Sequence, residues 1–450
     1  MSKSFVAPSD TLTATEARAA IGRGELSATE YADQLLARIS ACDADVKAWT
    51  TIEPEAVRAQ AKALDEAQAN GAPLGPLHGI PVGIKDIIAT HDLLTQNGSD
   101  HFIGHQPETD AAVVAILRSA GAIIMGKTVT TELATRSPGK THNPHNLDHT
   151  PGGSSSGSAA AVAAGMVPLA LGTQTGGSVV RPASYCGIHG LKPTRGLIPR
   201  GGVTLQSHTL DTVGTYGRSL EDVALLTQVL DRWDGTDDVS YRRGESQLAA
   251  ELESGLPQDA KPRFAFVRTP NWNDADAATQ SAIEKLVKSI PAEVTEPSWS
   301  PAFARVSEHH QIIQAAENSH HFAPLMARDP SRFTDGLRQS LEAAEHISAK
   351  RYQEAVFARE PLYREMASKL EDCDALITLS SPGSAPVSLA STGNPIFNGL
   401  WTYLGVPTIT LPMMTVDGLP CGVTLVGLRR GENHLLSIAQ WYEANVAPVS

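Results

Sequence analysis

Cysteine is scarce in this chain. The four present in 450 residues, Cys42, Cys186, Cys373 and Cys421, stand far apart and form no C-x-x-C pair. That spacing offers neither a disulfide framework nor a zinc site. Long apolar runs are also missing: no stretch approaches the length needed to cross a bilayer, and Met1 to Asp10 has no apolar core of the signal-peptide kind. A cytoplasmic protein with four reduced thiols is the expectation. Positive charge is in short supply, with 36 Lys and Arg against 49 Asp and Glu, a net charge of −13 and no basic run. This disfavours nucleic acid and anionic lipid as partners. Internal repeats, low-complexity tracts and obvious linkers are absent too, so residues 1–450 are read as one domain.

What is present is ordinary globular material, 41% hydrophobic and 19% charged. Residues 1–70 read as a helical N-terminal layer. Thr13-Ala14-Thr15-Glu16 and Ser27-Ala28-Thr29-Glu30 are capping-box patterns, and Ala32, Leu35, Leu36 and Ile39 then fall at helical spacing. A third helix is expected from about Pro54 to Ala69. Residues 75–230 alternate strand-like and helix-like segments, the pattern of an α/β sheet. In this region Gly79 to Ile84 is a short apolar strand ending at Lys85-Asp86, Asp110 to Ala120 a helix, and Ala122 to Met125 a strand. Residues 235–375 form a variable region with mostly helical character after 300. Ala375–Leu379, Val406–Leu411 and Val423–Val426 are the late strands of a C-terminal part, 376–450.

The chemistry concentrates in two Gly-Ser loops, Gly152-Gly153-Ser154-Ser155-Ser156-Gly157-Ser158 and Gly176-Gly177-Ser178. A short helix (Ala159 to Gly165) and a buried strand (Val167 to Gly172) separate them, which can return both loops to one end of a sheet. Hydroxyls beside glycine N–H groups are the parts of an acyl-transfer site. Lys85 closes an apolar strand, and ligands of α/β sheets bind at carboxyl ends of strands; a lysine snorkelling to the surface is the other reading. Two letter matches lead elsewhere. Gly121 to Thr128 fits the phosphate-loop pattern, but Ala, Ile, Ile and Met fill its middle, as in a buried strand. Gly153-Ser154-Ser155-Ser156-Gly157 fits the nucleophile elbow of an α/β-hydrolase esterase, yet the loop from Asn143 to Pro151 precedes it where that elbow needs a strand. The pairs His309-His310 and His320-His321 match no metal-ligand spacing and read as solvated helix positions; no metal is expected.

The stretch from Gly75 to Asp86, the block from Pro151 to Thr194, and the segment from Asn398 to Gly427 together resemble the amidase signature family of serine hydrolases. The resemblance implies a single large mixed β-sheet covered by helices on both faces and a Ser-cisSer-Lys triad. By matching position Ser178 is the nucleophile, Ser154 the bridging serine after a cis Gly153–Ser154 bond, and Lys85 the base. The N–H groups of Thr175, Gly176, Gly177 and Ser178 would form the oxyanion hole, with Ser155 orienting the triad. Gln174 departs from the family, many of whose members carry Asp there. Arg181 either holds a substrate carboxylate, as in some relatives, or ties loop carbonyls. Thr131, Ile396, Phe397, Trp401 and Tyr403 are candidates for the pocket wall. The resemblance implies hydrolysis of small amides, carbamates or esters with water, without a cofactor, by a monomer or homodimer. The glutamine-hydrolysing component of a tRNA-dependent amidotransferase shares the same core and stays open as an alternative.

Overall fold

The computed structural model describes residues 4–242, 244, 247–257 and 259–450. Helices α1 (Ala14–Gly22), α2 (Ala28–Val46) and α3 (Pro54–Ala69) form the N-terminal layer, with strand β1 (Trp49–Thr51) between the last two. Then come β2 (Pro81–Lys85), α4 (Ala112–Ser119), β3 (Ile123–Thr128), α5 (Ser156–Ala163), β4 (Leu169–Gln174), α6 (Val180–Cys186), β5 (His189–Lys192), β6 (Thr212–Gly217) and α7 (Leu220–Leu230). The next region holds α8 (Leu248–Ser254), β7 (Phe264–Phe266), α9 (Ala277–Lys288), β8 (Val294–Thr295), α10 (Val306–Arg328), α11 (Asp335–Ala344), α12 (Ala349–Phe357) and α13 (Arg359–Lys369). Strand β9 (Ala375–Leu379), α14 (Gly399–Leu404), β10 (Thr408–Val416), β11 (Leu419–Val426) and α15 (Glu432–Asn445) complete the order.

Local chemistry sets the helix starts. Thr13 and Ser27 each accept from the backbone N–H of Glu16 and Glu30, whose carboxylates reach back to the cap N–H groups, so both capping boxes are closed. Helix α3 starts on Pro54, whose missing N–H costs nothing at a first turn. Along α2 the buried residues Tyr31, Leu35, Ile39 and Cys42 make the apolar stripe that seats the layer on the core.

One mixed sheet runs in the order β1-β3-β2-β4-β6-β5-β10-β11-β9-β7-β8. Strand β2 pairs parallel with both β3 and β4, Ile84 lying opposite Leu171. Lys85 and Gln174 therefore end neighbouring strands at the same edge of the sheet. Helices α5 and α6 touch each other and cover β2, β4 and β5; α4, α7 and α15 make a second connected group over β3, β6 and β10. The fold is thus α/β, a large mixed sheet layered by helices.

The small residues of α5 have a packing reason. All eight are buried, and a Cβ at Gly157 would lie 2.2 Å from Ala48 O and 2.3 Å from Val129 N. Only a glycine lets the helix pass that close. The phosphate-loop letters fall in β3, every residue of which is buried. Lys127 is spent inside, donating to Ile88 O and, at 2.8 Å, to Thr95 Oγ1.

Candidate active site

Lys85, at the end of β2, is fully buried. Its Nζ lies 2.7 Å from Ser154 Oγ and 2.7 Å from Thr173 Oγ1. Burial holds the lysine well below its ordinary range, and the charge of Asp211 opposes that shift. The Gly153–Ser154 peptide bond is cis. Exposure rises outward across the set: Lys85 has none, Ser154 1% and Ser178 8%. Ser178 is thus the least enclosed of the three, and its hydroxyl makes no hydrogen bond to Ser154 or Lys85. Ser155 accepts from Thr173 N at 3.2 Å and donates to Thr173 O at 3.3 Å; it ties the loop that carries Ser154 to the strand that carries Thr173.

The loop between β4 and α6 has every carbonyl taken. His310 Nε2 bonds Thr175 O at 2.8 Å, Thr402 Oγ1 donates to Gly176 O at 2.8 Å, Arg181 N donates to Gly177 O at 2.9 Å, and Tyr216 OH donates to Ser178 O at 3.0 Å. Among the described residues, no protein acceptor takes the N–H groups of Gly176, Gly177 or Ser178. Carbonyls held on one side and amides left free on the other is the geometry an oxyanion needs. Asp211, buried and with its carboxyl pushed up by that burial, accepts from Thr175 Oγ1 and from the N–H groups of Gln206 and Ser207, pinning the loop's first residue.

Gln174 works behind the loop. Its Oε1 accepts from Val179 N at 2.8 Å and Val180 N at 3.0 Å, the opening donors of α6, and its Nε2 donates to Thr402 Oγ1 at 2.9 Å. Arg181 is committed to the scaffold: Nε donates to Thr392 O at 2.7 Å, and Nη2 to Gly153 O at 2.6 Å and Thr392 Oγ1 at 3.1 Å. Both sequence readings keep support: Nε and Nη2 tie the loops that frame Ser154, and the buried Nη1 has no partner among the described residues, a donor that a carboxylate would take.

The proposed wall residues divide. Thr131 belongs at the site, its N–H donating to Ser154 O at 3.3 Å and its methyl flanking Gly153. Ile396 is half-buried beside the core. Phe397, Trp401 and Tyr403 are corrected to the core: Phe397 packs among Ile409 and Leu411, Trp401 and Tyr403 pack with Leu400 and Val406, and the Tyr403 hydroxyl donates to Ala355 O at 2.7 Å. The reading of His309-His310 as solvated is also corrected, since both are buried; His320 is exposed and His321 half-buried. Thr173, Asp211, Tyr216 and Thr402 escaped sequence reasoning because single polar residues in strands, in a short helix or just ahead of a strand carry no spacing signal. His310 had one. His310, Gln314 and Glu317 fall at i, i+4 and i+7, a polar stripe on one face of α10, where Glu317 accepts from Thr209 N at 2.9 Å and Gln314 donates to Gln206 Oε1 at 3.3 Å.

The family model for amidases matches residues 30–436. The chain belongs to this family, the amidase signature enzymes, which hydrolyse carbon–nitrogen bonds. It is 33% identical to the A-type subunit of the glutamyl-tRNA(Gln) amidotransferase of Roseiflexus castenholzii, over 96% of this chain and 95% of the relative. Among solved structures, it is similar to one described as a vestigial protein complex that reveals the evolutionary origins of an s-triazine catabolic enzyme, with a TM-score of 0.89 and 27% identity over 98% of this chain and 100% of that one. The peptide amidase of Stenotrophomonas maltophilia is similar at a TM-score of 0.84 and 28% identity, covering 98% and 99% of the two chains. No helix among the described residues is long and apolar enough to cross a membrane.

Proposed function

We propose that this enzyme cleaves the acyl C–N bond of small amides or carbamates, with esters as a further class, through an acyl-enzyme on Ser178. The observations that support the reading are the loop Thr175–Ser178, with four tethered carbonyls and free N–H groups, and the Lys85–Ser154 contact. A neutral lysine amine donates to Thr173 Oγ1 and accepts from the Ser154 hydroxyl. Ser178 then passes its proton to Ser154 as Ser154 passes its own to Lys85. Ser178 Oγ bonds to the substrate carbonyl carbon, and the carbonyl oxygen becomes an oxyanion held by the loop N–H groups. The C–N bond breaks as the proton returns through Ser154 to the leaving nitrogen. Water repeats the sequence on the acyl-enzyme. Each proton has a protein group to carry it, so the reading calls on no metal or organic cofactor. The four thiols, buried and unbonded to one another, suit a reducing cytoplasmic setting.

A second reading rests on the 33% identity, over nearly the whole chain, to the amidotransferase component of Roseiflexus castenholzii. Here the same serine chemistry would act on the side-chain amide of glutamine, inside a complex, and the small-molecule scope would be incidental. Arg181 bears on the choice. Its Nε and Nη2 are held by Thr392 and Gly153, while its buried Nη1 has no partner among the described residues, so one donor stays available to a carboxylate such as that of glutamine, which favours the second reading. The test is to purify the chain alone and assay anilides, aliphatic amides, carbamates, esters and glutamine, wild type beside Ser178→Ala. Turnover of uncharged amides by the isolated chain, lost in Ser178→Ala, supports the first reading. Inertness alone, or activity confined to glutamine, supports the second.

A further inference from the structure

We propose that His310, reaching in from α10, is a positioning residue of the oxyanion loop and couples the helical region around residues 300–370 to the nucleophile. The proposal rests on the reading of Ser178 as nucleophile. The imidazole is buried, and its Nε2 is 2.8 Å from the Thr175 carbonyl oxygen. A carbonyl only accepts, so Nε2 carries the proton and the ring is the Nε2–H tautomer. Burial also pushes the group down to about 4, so the ring stays neutral through the physiological range.

Two glycines make room for the ring. A Cβ built on Gly399 would lie 3.2 Å from His310 Nδ1, and one on Gly176 would lie 3.6 Å from Cε1. The imidazole thus sits between the start of α14 and the oxyanion loop itself. Its bond holds Thr175 O in place, and the peptide unit that contains this oxygen carries the Gly176 N–H. Fixing the carbonyl fixes the amide, because the unit is planar. Helix α10 is in turn anchored two turns on, where Glu317 accepts from Thr209 N at 2.9 Å and from the hydroxyls of Ser207, Thr209 and Tyr352. A shift of α10 on substrate binding would therefore reach the Gly176 N–H through one hydrogen bond.

The experiment compares His310→Met, which fills the space without a donor, with His310→Gln, whose Nε2 reaches about as far as the imidazole Nε2. Each is assayed on a small amide, with folding checked by circular dichroism and Tm, and with a trifluoromethyl ketone as a tetrahedral-adduct inhibitor. Expected for His310→Met are a kcat about ten-fold lower, a KM within two-fold, and an inhibition constant weakened in step with kcat/KM; His310→Gln recovers most of the loss. A merely structural role would instead lower Tm or the folded fraction and leave the inhibitor-to-substrate ratio unchanged. Unchanged kcat in His310→Met, or equal losses in both variants at wild-type folding, overturns the proposal. Ser178→Ala runs in parallel: if it keeps full turnover, the nucleophile assignment has failed, and His310 is not the cause.

Discussion

Gln174 and Thr402 are joined by a hydrogen bond of 2.9 Å from the side-chain amide nitrogen to the threonine hydroxyl, which in turn donates to Gly176 O at 2.8 Å. A glutamine suits this position because it both accepts from α6 and donates to Thr402. A carboxylate could only accept, and would compete with Gly176 O for the one hydroxyl proton. Gln174 thus has a structural partner in Thr402.

Thr402→Val should break this chain of bonds. It leaves Gln174 Nε2 and Gly176 O buried without partners, each costing about 1–3 kcal/mol. Denaturant unfolding should show a loss of about 2 kcal/mol or more, with kcat falling. Wild-type stability in this variant would mean that the hydroxyl holds nothing.

The pH dependence follows from Lys85. Its buried amine loses its proton below the ordinary lysine range, and only the neutral amine takes a proton. Activity should therefore rise with pH through the folded-state value and level off above it. Asp211→Asn removes the charge that favours the lysine cation and should move the rise to lower pH. A profile that peaks below about pH 6, at the limit of what burial does to a lysine, would be incompatible with this base.

Removal of the relay members should be graded. Ser178→Ala and Lys85→Ala should each abolish turnover, while Ser154→Ala should retain a severely reduced rate. General-base transfer supplies on the order of 10²–10⁴-fold, so single-turnover rates resolve the ranking. Full activity in Ser178→Ala would return Ser155 to consideration.

Arg181→Met tests the clamp. It leaves Gly153 O and Thr392 O without their donor, which should cost about 2–5 kcal/mol of unfolding free energy. Activity should fall alike for amides with and without a carboxylate. A selective loss of carboxylate-bearing substrates would show that Arg181 recognises the acid.

The two loop glycines should differ. A Cβ on Gly177 would lie 2.4 Å from Asn398 Oδ1 and 3.0 Å from Asn398 Cβ, whereas one on Gly176 meets nothing closer than 3.6 Å. Gly177→Ala should displace Asn398 from Ser380 O, which its Nδ2 now reaches at 2.9 Å, and lower kcat by about 10²-fold, the scale of losing an oxyanion donor. Gly176→Ala should stay within a few-fold. Equal effects would place the constraint elsewhere.

Much of this was legible in the order of residues. Capping boxes at Thr13 and Ser27, the strand before Lys85, the small-residue helix after Ser154 and the buried strand in place of a phosphate loop are local patterns, written in a few consecutive positions. Shorter or less regular pieces were not: β1 has three residues and β5 four, too few to show a period. Phe397, Trp401 and Tyr403 look like pocket aromatics because apolar residues near a site read the same as apolar residues beneath it. His309 and His310 look solvated because polarity is visible in the sequence and burial is not.

By itself the sequence determined the parts of the site: a lysine closing a strand, a serine in each of two glycine loops, and hydrophobic periods that return those loops to one edge of a sheet. Tertiary structure alone decided how the parts are held. The donors that fix Thr175, Gly176 and Ser178 come from His310, Thr402 and Tyr216, residues far from the loop in sequence and on three different elements. Hydrogen bonds form between groups that packing brings within about 3 Å, and no spacing rule along the chain records which distant side chain will arrive there.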